Sequence, residues 1–81
     1  MPLIISVRGY RVLFYSHEGH PREPLHVHVR RAECQAKVWV EPSVSVASCF
    51  GFNSTELREI IEIVETNIDL IRRRWDEHFG S

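Results

Sequence analysis

Leu25-His26-Val27-His28-Val29-Arg30 alternates apolar and polar residues without a break. Successive side chains of a β-strand turn to opposite faces, so Leu25, Val27 and Val29 are expected on one side of a sheet. His26, His28 and Arg30 then fall on the other, expected to be the exposed one. A strand with one packed and one partly wet face belongs to an antiparallel sheet, and such a sheet needs neighbours on either side.

The neighbours are legible in both directions. Upstream, Ser16–Pro24 holds a glycine, two prolines and several charges and reads as a loop. Before it, Arg11–Tyr15 is apolar on both faces, as suits an interior strand, and the turn Arg8-Gly9-Tyr10 joins it to the branched run Leu3–Val7. Downstream, a polar turn near Arg31–Cys34 leads to Ala36, Val38 and Val40 alternating with Lys37, Trp39 and Glu41. Pro42-Ser43 punctuates, and Val44–Cys49 is the last strand expected. Short strands joined by tight turns make an antiparallel sheet of four to five strands.

The remainder reads as one long C-terminal helix. Asn53 is a good N-cap, Glu56 stands three residues later to complete a capping box, and Phe52 and Leu57 occupy the hydrophobic staple positions. At 100° per residue Leu57, Ile60, Ile61, Val64, Ile68, Ile71, Trp75 and Phe79 form a stripe, with Arg58, Glu62, Glu65, Asp69, Arg73 and Asp76 opposite. Gly80 is a natural stop. Ile63 and Leu70 lie on a flank of that stripe, with Asn67 between them and the main row. Two readings of this flank stand: a broad face packed on the sheet, or a contact with another protein chain. The fold class expected is α+β, an antiparallel sheet packed against one long helix, in a single domain over 1–81.

Composition narrows the functional classes. A chain of 81 residues with 43% hydrophobic and 26% charged residues is ordinary for a globular domain, and its size makes association stabilising. The net charge of −1 exerts no global pull on nucleic acid or anionic membrane, so any basic surface must be local. No run approaches the roughly 20 apolar residues that span a bilayer. Cys34 and Cys49 fit no disulfide framework or Cys-x-x-Cys spacing and read as free thiols of a cytoplasmic protein.

His26 and His28 are the candidate chemical centre. Residues i and i+2 of a strand lie about 6–7 Å apart on one face, close enough for both imidazoles to approach one metal ion. His17, Glu18, His20 or Glu23 would supply a third ligand to a divalent metal. Without a metal, two histidines beside Arg30 and Lys37 could bind a phosphate and provide acid and base near neutral pH. Trp39 shares the parity of Lys37 and could stack a base. The plain alternative is that His26, His28 and Trp39 cover an amphipathic sheet face or a protein interface. Arg72-Arg73-Arg74 fans around the helix and is explained by the helix dipole; Arg30 and Arg31 are not. No nucleophile elbow, phosphate-cradling glycine loop or paired-carboxylate motif is present, so whether the chain is an enzyme stays open.

The run Glu23-Pro24-Leu25-His26-Val27-His28-Val29 resembles the Pro-Pro-His-φ-His-Val signature (φ apolar) of a family of small bacterial proteins, the domain of unknown function DUF4160. Ala36-Lys37-Val38-Trp39-Val40, Gly51-Phe52, Glu56-Leu57, Asn67 and Trp75 through Phe79 follow in the order of one branch of that family, and the match extends from Ile5 to Gly80. Leu25 stands where the signature has its second proline, which removes rigidity just before His26. Members are often encoded beside a second small domain, as in toxin–antitoxin pairs. The resemblance implies a small protein partner encoded by a neighbouring gene, with RNA as a further partner and self-association open. It makes His26 and His28 the matched signature residues, with Lys37, Trp39, Asn67 and Trp75 secondary. Three functions compete: a toxin–antitoxin-like component, a non-catalytic interaction or regulatory module with Ile63, Asn67 and Leu70 as contacts, and a metal-binding protein using His26 and His28. No cofactor is expected otherwise.

Overall fold

The computed structural model describes residues 3–14 and 24–79. Five strands, β1 (Leu3–Val7), β2 (Tyr10–Leu13), β3 (His26–Arg31), β4 (Cys34–Trp39) and β5 (Ser45–Phe50), form one sheet in sequential order, each antiparallel to the next. The class is α+β. The last strand lies one residue later than its expected Val44–Cys49.

Local chemistry sets the hairpins. Val7 pairs with Tyr10 across a two-residue turn whose residues, Arg8 and Gly9, both have positive φ, 55° and 83°. That is the backbone handedness that matches the right-handed twist of the flanking strands. Ala32, between the paired Arg31 and Cys34, also sits at positive φ, 54°. At the β5 exit Gly51 has φ 91°, and a Cβ there would lie 2.7 Å from Cys34 Sγ, so only glycine fits.

Paired residues of an antiparallel sheet share a face. One face carries Tyr10, Val12, Val27, Val29, Ala36 and Val38, all buried against Ile60, Ile63, Val64 and Ile71 of the helices. The other carries Arg11, Leu13, His26, His28, Arg30, Gln35, Lys37, Trp39, Ser48 and Phe50.

The helical region is two helices, α1 (Ser54–Thr66) and α2 (Ile68–Phe79), which corrects the expectation of one long helix. Asn67 makes the break. In a continuous helix its backbone N–H would donate to the Ile63 carbonyl. Its own side chain takes that acceptor at 2.8 Å, and the backbone N–H donates instead to the Val64 carbonyl at 3.1 Å. Thr66 likewise donates its hydroxyl to the Glu62 carbonyl at 2.7 Å. Two adjacent side chains thus compete for the helix's own acceptors. The Asn67 carbonyl accepts from the Ile71 N–H at 2.9 Å and starts α2.

The N-terminus of α1 is built as read. Asn53 accepts from the Glu56 N–H and Glu56 accepts from the Asn53 N–H, each at 2.8 Å, and Phe52 is buried beside them. Ile63 is 5% exposed and belongs to the core, while Leu70 packs partly against it and Asn67 is half-buried. Ile63 therefore serves the core, while Asn67 and Leu70 keep part of their surface open beside it. The side chain of Phe79 lies outside the described residues.

Candidate functional site

The alternation in β3 places His26 and His28 on one face, as expected, but the two are not equivalent. His26 is fully buried, which corrects its expected exposure. Its ring stands edge-on to Trp39 (centroids 5.5 Å apart), Trp75 (5.7 Å) and His28 (5.4 Å). Trp75 in turn meets Phe14 at 5.5 Å, so the end of α2 closes the sheet end where β3 begins. The alternating pattern could not show this cover, because it comes from a residue 49 positions away. His26 Nδ1 lies 3.0 Å from the Pro24 carbonyl, which only accepts, so Nδ1 carries the hydrogen.

His28 is half-buried and lines an open pocket of about 280 Å³ with Gln35, Lys37, Ser48, Cys49 and Phe50. The register explains the grouping: His28 pairs with Lys37, and Lys37 with Ser48, in one row across β3, β4 and β5. Lys37 Nζ stands 4.5 Å from the centroid of the Trp39 ring. A second row runs Ser6, Arg11, Arg30, Gln35, Phe50 across all five strands. Phe50 at its end is 65% exposed. Gln35, Ser48 and Phe50 were not singled out in the sequence, since their grouping follows from strand register and no local motif carries it.

Among the described residues, charge is segregated between the two sides of the sheet. The rows on the histidine face contain Arg11, Arg30 and Lys37 and no carboxylate. Every Asp and Glu among the described residues lies in a turn or bend or on a helix. Several of them anchor α1 to the opposite side: Arg31 pairs with Glu56, Tyr10 donates to Glu59 at 2.7 Å, and Arg8 approaches Glu62 at 3.6 Å. Arg31 also stacks over Tyr10 at 4.2 Å, so the adjacent Arg30 and Arg31 serve opposite faces.

Among the described residues no three His, Cys, Asp or Glu side chains converge as a metal site. The proposed third ligands His17, Glu18, His20 and Glu23 lie outside the described residues. Cys34 and Cys49 are free thiols on β4 and β5. Among the described residues no helix is long and apolar enough to cross a membrane.

An antiparallel five-stranded meander with two helices on one face and a cationic, aromatic opposite face defines a small α+β sheet domain. The chain belongs to the family described as domain of unknown function (DUF4160), whose profile matches residues 9–76. No curated protein and no solved structure matches the chain.

Proposed function

We propose that this protein is one member of a toxin–antitoxin-like pair and that it binds single-stranded RNA on the β3–β5 sheet face. The paired-gene arrangement implied by the resemblance supplies the module. The observation that carries the RNA reading is the charge segregation: among the described residues the strand rows with Arg11, Arg30 and Lys37 hold no carboxylate and end on the exposed ring of Phe50, in a chain of net charge −1. Cations that track a phosphate backbone, beside aromatic rings on which bases stack, are what single-strand binding requires.

The reading is of binding rather than hydrolysis. Cleavage at a ribose hydroxyl needs one group to take the 2′-hydroxyl proton and another to protonate the leaving oxygen. His28 opens on the pocket, but His26 is enclosed by Trp39 and Trp75, so the pair does not present two imidazoles to one substrate. His26 acts on His28 as a positioning neighbour.

Titration of a labelled oligoribonucleotide, followed by anisotropy at low and high salt, tests this. Binding should weaken steeply with salt and fall in Lys37→Gln and Phe50→Ala, where a lost stacking contact is worth about 1–3 kcal/mol. Absence of saturable binding at low salt would sink the RNA reading.

One observation favours a second reading, an interaction module without catalysis. Edge strand β5 is exposed at every residue and carries Val46 on the helix side and Phe50 on the other. An extended segment of the partner protein could add to this edge through backbone hydrogen bonds. Val46→Lys should then abolish co-purification with the neighbouring gene's product while leaving RNA binding intact.

A further inference from the structure

From the register of β2 and β3 we infer a phosphate-binding seat between Arg11 and Arg30, distinct from the His28–Lys37 pocket and made for a phosphodiester of single-stranded RNA. The inference deepens the RNA reading and rests on it for the identity of the ligand.

Arg11 and Arg30 are directly opposed cross-strand partners on the same face. Side chains so placed have Cβ atoms about 4.5–5.5 Å apart, and like charges there repel. Among the described residues neither forms an ion pair with a carboxylate, and the next residues along the row are Ser6 on one side and Gln35 on the other. Arg30 adds a second, independent observation. Its Nε is buried and makes no hydrogen bond among the described residues, a cost that a charged acceptor would offset. An anion held between two guanidiniums answers both, since each presents a planar fork that fits phosphate oxygens.

The row also has a direction. Strands lie about 4.8 Å apart, so Arg30 and Phe50, two strands away, are separated by roughly 10 Å. That matches the reach from a phosphate to a base stacked a nucleotide or so further on. Gln35, between them, offers an amide able to donate and accept at a base edge. A phosphate at Arg11 and Arg30, a base edge at Gln35 and a stacked ring on Phe50 form one track across the sheet.

The test uses the full chain and two probes, inorganic phosphate and a labelled oligoribonucleotide of about 12 nucleotides. Inorganic phosphate should raise the melting temperature of the parent protein and leave Arg11→Gln and Arg30→Gln unmoved. Arg11→Gln, at an exposed position, should melt higher than the parent in phosphate-free, low-salt buffer because the repulsion is gone. The salt dependence of RNA binding should fall by about 0.7 in log–log slope in Arg11→Gln/Arg30→Gln, the loss of one phosphate contact. Arg30→Lys, which keeps the charge, guards against a folding defect and should retain most of that slope. RNA binding with an unchanged slope in the double variant overturns the seat and leaves the RNA reading standing. Phosphate stabilisation without RNA binding overturns the polynucleotide as its ligand. Failure of both probes overturns the seat and the RNA reading together.

Discussion

The hydroxyl of Tyr10 on β2 donates a 2.7 Å hydrogen bond to Glu59 Oε1 on α1, joining sheet and helix across 49 positions of chain. Tyr10 is fully buried, against Phe52 and beneath the Arg31 guanidinium. Burial, and then the bond to Glu59, raise its pKa above the ordinary 10.0.

That bond sets an alkaline limit on stability. A raised folded-state pKa means the folded chain holds this proton more tightly than the unfolded one. The contribution is intact below about pH 10 and is lost as pH rises through the folded value. Tyr10→Phe should cost about 1 kcal/mol in urea unfolding near neutral pH. The gap between parent and variant should narrow as pH climbs past about 10. Parallel pH profiles would show that Tyr10 does not titrate with unfolding.

His26 and His28 should separate cleanly by mutation. His26→Ala empties a fully enclosed site among Trp39, Trp75 and His28 and should cost about 2–4 kcal/mol by thermal or urea melt, as other large-to-small core changes do. His28→Ala should cost about 1 kcal/mol or less and report on ligand binding. Equal destabilisation by the two would contradict the asymmetry of the site.

Gly51→Ala should be severe and only partly rescued. The positive φ costs an alanine about 1–2 kcal/mol, and the new Cβ also meets Cys34 Sγ. Cys34→Ala should relieve the clash with Sγ, leaving the tighter-than-usual 3.2 Å contact with its Cβ and the conformational share, and give a favourable coupling of about 1 kcal/mol in a double-mutant cycle. Strict additivity would mean that the contact with Cys34 is not what excludes a side chain at Gly51.

Ala32→Gly should do the opposite. Ala32 holds φ 54° in the β3–β4 turn, a region that disfavours any Cβ, so glycine should raise stability by up to about 1 kcal/mol, less its greater freedom in the unfolded chain. An unchanged or lower urea midpoint would mean that the unfolded-state entropy dominates.

Much of this architecture is written locally. The alternation in Leu25–Arg30 and in Ala36–Val40 yields strands because a period of two has one structural meaning, and Asn53 with Glu56 yields a helix start because both capping bonds lie within four residues. The break at Asn67 was within reach: Thr66-Asn67 places two backbone-competing side chains in sequence, but the apolar stripe continues through α2 and conceals it. The burial of His26 was not within reach, because Trp75 closes over it from the far end of the chain. The Arg11–Arg30 opposition likewise exists only once strand register is known.

Edge strand β5 has a practical consequence for anyone handling the protein. From Pro42 to Thr55 the chain carries no charge, and Ser45–Phe50 lies open at the sheet margin with no lysine or proline inside it. Natural edges normally include such gatekeepers, and an unguarded one templates intermolecular β-pairing. The isolated protein should therefore be prone to precipitate on concentration, and a single lysine at Ala47, the residue bulged out of the β4–β5 register, should keep it in solution.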